Sequence, residues 1–187
     1  MRSTVPLFAA ALLVSMPALA SETLPLPTFR SVELNGGGTI RVVPGPVQRV
    51  SIVEGSSEVT RLRVESDGKL RIDMCAERCP ASYRLRIEIQ SPEVPPLAVQ
   101  GGGEIVTAAG FGPQSHLAVA VNGGGEIDAR SVDAGAVAAA VRGGGNLLVK
   151  PRSSLAASVE GGGHVRYWGK PTVAMMVRGG GTVSPAD

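Results

Sequence analysis

Three groups of residues carry side chains suited to chemistry. Cys75 and Cys79, the two cysteines of the chain, sit four positions apart in "MCAERCP". Such a pair can form a disulfide, join a metal site or exchange electrons. Glu104, Glu126 and Asp128 supply carboxylates and His164 an imidazole, each shortly after a glycine triplet. An all-oxygen set suits Ca²⁺, and acids near Lys150 or Arg166 would suit cleavage of an acidic polysaccharide. Tyr167 and Trp168, in "RYWGKP", place one of two tyrosines beside the single tryptophan. Neighbouring aromatics stack on sugars or anchor a partner.

Each group also has a plainer role. A disulfide across so short a loop is a structural staple contributing about 2 kcal/mol on the chain-entropy model. A metal site would need further Cys or His ligands that the neighbourhood does not offer. Stacked Glu104 and Glu126 would repel one another, and splaying into solvent relieves that as a cation would. The aromatic pair could equally cover the open end of a β stack. His116 and His164 have no evident partner, and no Ser/His/Asp order or phosphate loop is recognisable. The cysteines therefore read as a disulfide, with no catalytic residue, metal or cofactor expected.

The elements that must position these groups are set by a repeat. Glycine triplets begin at Gly36, Gly101, Gly123, Gly143, Gly161 and Gly179, the last five at separations of 22, 20, 18 and 18 residues. Two places before each triplet stand Leu34, Val99, Val121, Val141, Val159 and Val177. Two places after stand Ile40, Ile105, Ile127, Leu147, Val165 and Val183, while the immediate flanks are mostly polar. Alternation of period two means strands with one face buried. Strands recurring every lap, with no helical stretch between, predict an all-β fold: a single-stranded, right-handed parallel β-helix, or β-solenoid. Its handedness follows from the general rule for parallel crossovers. The triplets are then corners that stack on themselves, where a side chain would push neighbouring laps apart. Arg142, Glu160 and Arg178 should form a column of alternating charge. The gap of 65 residues after Gly36 is close to three laps, so laps without the glycine mark are expected there. "SDGK" at Ser66–Lys69 reads as a tight turn.

Residues 1–20 read as a secretory signal peptide, with Arg2, the apolar "VPLFAAALLVSM" and a small-residue cleavage site at Ala18–Ala20. Residues 21–187 form the solenoid domain, and no later stretch is apolar enough to span a membrane. Of 18 basic and 16 acidic residues only Arg2 falls in the leader. A balance so near zero argues against nucleic acid as a partner. Aromatics make up 3% of the chain, so the core must be aliphatic and its layers thin.

The order "FRSVELNGGGTIRVVPG", "RVSIVEG", "DGKLRID" and then recurrent V-x-G-G-G-x-I resembles the head GIN domain family over roughly Phe29 to Val183. That family is described as the head of an auto-transporter adhesin, and its corners more often read Gly-Ser-Gly-Asp or Gly-Ala-Gly-Asp. The resemblance implies an exported bacterial β-solenoid and carries over no catalytic residue. The expectation is a periplasmic or secreted, non-catalytic module that binds a glycan or another envelope or cell-surface component. Alternatives are a polysaccharide-active enzyme of the parallel β-helix type and a scaffold that self-associates through its coil ends. Ligand and oligomeric state stay open.

Overall fold

A computed structural model describes residues 21–75 and 79–186. The leader expected over 1–20 lies outside the described residues, as does the interior of the cysteine loop. The amino-terminal strands are β1 (Glu22–Leu24), β2 (Ser31–Gly36), β3 (Thr39–Pro44), β4 (Arg49–Glu54), β5 (Arg61–Val64), β6 (Lys69–Asp73) and β7 (Arg86–Ser91). They are followed by β8 (Leu97–Gly101), β9 (Glu104–Thr107), β10 (Gln114–Gly123), β11 (Glu126–Gly143) and β12 (Asn146–Gly161). The last are β13 (His164–Tyr167), β14 (Thr172–Arg178) and β15 (Thr182–Pro185). All fifteen belong to one curled sheet, and no helix occurs among the described residues.

Period two decides which side chains turn inward. Leu34, Val99, Val121, Val141, Val159 and Val177 are successive partners across parallel strands. Ile40, Ile105, Ile127, Leu147, Val165 and Val183 form a second such row. All but the members on β14 and β15 are at most 1% exposed. In β11 the buried positions run Ile127, Ala129, then Val132, Ala134, then Val137, Ala139, Val141. The phase slips twice, because two consecutive residues face outward at Arg130–Ser131 and the register shifts again near Gly135. The strand therefore turns as it goes. Glu126–Asp128 pair with β9, whereas the segment from Ala134 onward pairs with β10.

The expectation of a uniformly parallel sheet is corrected, since the sheet is mixed. β1 with β4, β4 with β7, and β5 with β6 are antiparallel. The Asp67–Gly68 turn joins β5 to β6, with Gly68 at φ 82°, and so short a connection cannot return a strand in parallel. The order of laps also differs from a simple winding. β6 and β7 lie outside β2 and β3, so the later segment stacks on the far side of the earlier one. The chain then passes back over it to β8.

Each glycine triplet lies between two strands, and the chain bends there. Gly123 has φ 125°, and a Cβ added to it would lie 2.6 Å from the Gly101 carbonyl oxygen. Gly124 instead faces open space, with nothing within 4 Å of an added Cβ. Its amide donates to Gly101 O at 3.0 Å, so the close approach serves a main-chain hydrogen bond.

Candidate functional site

The cysteines are joined, with Cα atoms 5.6 Å apart. Their place in the stack explains why they occur once. β6 and β7 flank β2 and β3, and Met74 and Leu85, at the two ends of the connection between them, lie against Gly36 and Gly38. Met74 N donates to Asn35 O at 3.1 Å just before Cys75. The disulfide thus clips a loop at the position where the neighbouring segments turn on glycine.

The acidic candidates are drawn together only in part. Glu104 and Glu126 are direct partners across β9 and β11. Glu126 accepts from Asn146 Nδ2 at 3.3 Å, and Glu126, Asn146, His164 and Thr182 follow one another in a single outward row. His164 Nδ1 lies 2.9 Å from Thr182 Oγ1. Asp128 is taken up by Arg130, whose Nη2 donates to Oδ2 at 2.6 Å and whose backbone N donates to Oδ1 at 3.1 Å. Partial burial pushes the Asp128 carboxyl up, but the Arg130 hydrogen bonds outweigh it and hold the group below its ordinary value. Among the described residues no three His, Cys, Asp or Glu converge as a metal-holding group. The stacked Glu104 and Glu126 with Asp128 beside them therefore make a row rather than a cage.

Lys150, a candidate for binding acidic sugars, pairs with Asp133 at 2.8 Å, and its hydrogen bond holds the Asp133 carboxyl below the usual range. Arg166 makes none of the ion pairs seen among the described residues. It lines a shallow polar depression of about 450 Å³ with Glu126, Asn146, Leu148, His164 and Thr182. Leu148 is an outward-facing leucine between Asp128 and Arg166 in the same row. Tyr167 packs partly buried against the core. The Trp168 ring lies 5.1 Å from the Arg130 guanidinium carbon, a cation–π contact. The tryptophan therefore reaches along the outside of the sheet to a side chain of β11.

Sequence reasoning missed a larger feature. Outward positions on β10, β11, β12 and β14 carry Ala118, Ala138, Ala156 and Ala174 as successive partners. Beside them run Ala98, Ala120, Ala140, Ser158 and Met176. These two rows form an open, apolar, shallow concavity of about 600 Å³. The signal was present in "LAVAV", "AVAAAV" and "LAASV", where alanine takes outward positions that solvated strands usually give to polar residues. Arg142, Glu160 and Arg178 border this face as the expected column, and Arg142 Nε lies 3.4 Å from Glu160 Oε2.

Residues 109–171 match the model of the family described as "Putative auto-transporter adhesin, head GIN domain". No curated protein matches the chain in sequence. Among solved structures, one titled "a putative adhesin" from Bacteroides fragilis is 19% identical, with a TM-score of 0.53, covering 91% of this chain and 98% of its own. A "putative adhesin" from Parabacteroides merdae is 14% identical, with a TM-score of 0.35 and coverage of 90% and 96%. A "putative lipid binding protein" from Parabacteroides distasonis is 15% identical, with a TM-score of 0.36 and coverage of 90% and 96%. The chain thus shares its fold with the first of these, and over residues 109–171, which hold the recurrent glycine-triplet segments but not the ordered segments before them, it carries the head GIN domain likeness.

Proposed function

We propose that the chain is an exported, non-catalytic binding module of adhesin type, in which the parallel strands from β8 onward wind as a right-handed β-solenoid with glycine-triplet corners and the mixed amino-terminal strands close one end. The in-register valine and isoleucine rows support the winding, and the disulfide fits an oxidising compartment outside the cytoplasm. The observation that carries the function is the exposed alanine-paved face. Contiguous apolar surface, with charge confined to its margins at Glu33, Lys69 and the Arg142 column, favours contact with another surface over chemistry on a small molecule. The acids proposed for catalysis point the same way, since Asp128 is engaged by Arg130 and Glu126 by Asn146. The partner is an envelope or cell-surface component that presents a flat, weakly polar patch.

The polar depression around Glu126, His164 and Arg166 supports a second reading, in which a glycan is held by hydrogen bonds with Leu148 as an apolar floor. Binding of the exported protein to cell-envelope preparations and to a glycan array separates the two. Ala138→Glu should weaken envelope binding at least tenfold, roughly the effect of placing unpaired charge in a contact, with melting unchanged. Unaltered binding in that variant, combined with glycan binding lost on Arg166→Ala, would transfer the function to the polar row.

A further inference from the structure

We propose that β14 is a dimerisation edge, through which two copies meet tail to tail by antiparallel pairing of their β14 strands about a twofold axis at Met175. The two ends of the sheet are built differently. At the amino-terminal end the free edges belong to β1, three residues long, and β5, four residues long. Arg63 of β5 is tied to Asp73 at 3.0 Å. Short strands and charges are the usual means of discouraging further pairing.

At the other end, among the described residues, β14 has β12 on one side and no strand on the other. It is seven residues long, "TVAMMVR", with no Pro, Lys, Asp or Glu and with Arg178 at its last position. Met175, Met176 and Val177 are 64%, 53% and 40% exposed. Met175 and Val177 stack on Ala157 and Val159, which are 5% and 0% exposed. They continue buried rows of the core and lack only a following strand. An edge that is long, apolar and unguarded recruits another strand.

A second copy fits this edge because the strand is complementary to itself. Antiparallel pairing centred on Met175 sets Val173 opposite Val177 of the other copy and Met175 opposite its own counterpart, all on the inward side. Outward, Ala174 meets Met176. Thr172 meets Arg178, which keeps the two arginines about 20 Å apart at the strand rise, so no like charges face each other. Core rows of the two copies would join into one. The amino-terminal edges offer no matching surface, so the contact closes as a dimer and does not propagate into a filament.

Analytical ultracentrifugation of the exported chain over a wide concentration range tests this. The wild type should sediment as a dimer, with β14 amides that gain hydrogen-exchange protection as concentration rises. Met175→Lys places two ammonium groups opposite each other at the axis and should weaken association at least tenfold. Met175→Glu should do the same, and Val47→Lys, at an exposed apolar residue away from β14, should not. Both Met175 variants alter an exposed side chain, and equal melting temperatures would show that the fold is kept. A wild-type protein that stays monomeric, grows without limit, or remains dimeric in the folded Met175 variants would overturn the proposal.

Discussion

At the residue scale, the glycine triplets divide into positions with different demands. The first and third glycines meet the neighbouring segment. An added Cβ would lie 2.6 Å from Gly101 O at Gly123 and 2.5 Å from Gly103 O at Gly125. The middle glycine faces open space in every triplet but the first, where Gly37 lies against Met74. Gly123→Ala should therefore cost about 2–4 kcal/mol, combining backbone strain at φ 125° with a backbone clash. Gly124→Ala should change stability by less than about 1 kcal/mol, and can raise it by narrowing the unfolded ensemble. Chemical denaturation of the two variants checks this, and equal losses would mean that the segments do not approach as described. Sequence alone marked all three positions alike, because spacing shows where a column stands but not which way each missing side chain would point. The same limit applied to Asp128. Its row was legible in the sequence, but its capture by Arg130 two residues on depends on the strand turning outward twice at Arg130–Ser131.

At the scale of elements, strand register was the most legible feature, because period two allows only one inward face. Val121, Val141 and Val159 are partners as the aligned triplets implied. Strand order was less legible. Alternation in "KLRID" and "YRLRIEIQ" marks strands but says nothing of their neighbours, and β6 and β7 came to lie outside β2 and β3 through pairing across dozens of residues. The Asp67–Gly68 turn was a local signal for the antiparallel β5–β6 hairpin, and the repeat elsewhere obscured it. The alanine rows were missed for a related reason. Alanine is unremarkable on any one strand and becomes a surface only when four strands align. The Cys75–Cys79 loop belongs to this scale too, since it links β6 to β7 at the level of the glycine bends. Cys75→Ser should lower stability by about 2 kcal/mol on the loop-entropy model and selectively raise hydrogen exchange in β6 and β7. Uniform loosening of all strands would show that the clip acts on the whole stack instead.

At the scale of the whole molecule, a mixed sheet at one end passes into a parallel stack toward the other. The amino-terminal antiparallel strands close the first end, and the aliphatic rows run from there to β14 and β15. That gradient joins the structural and functional readings. A regular stack keeps outward positions in line, so a small residue repeated once per segment becomes a continuous face rather than isolated points. The proposed binding through the alanine rows and the proposed pairing through β14 both depend on this alignment. Nitroxide labels at Ala98→Cys and Ser158→Cys measure it directly. The two positions are 60 residues apart in sequence but three strand steps apart along one row. With labelled protein diluted in excess unlabelled protein, so that only distances within one copy are read, the account predicts a narrow distribution centred near 14 Å between backbone sites, three steps of about 4.8 Å, once label length is allowed for. A broad distribution, or a mean separation beyond about 30 Å, would contradict it, since residues three strand steps apart cannot lie so far from one another.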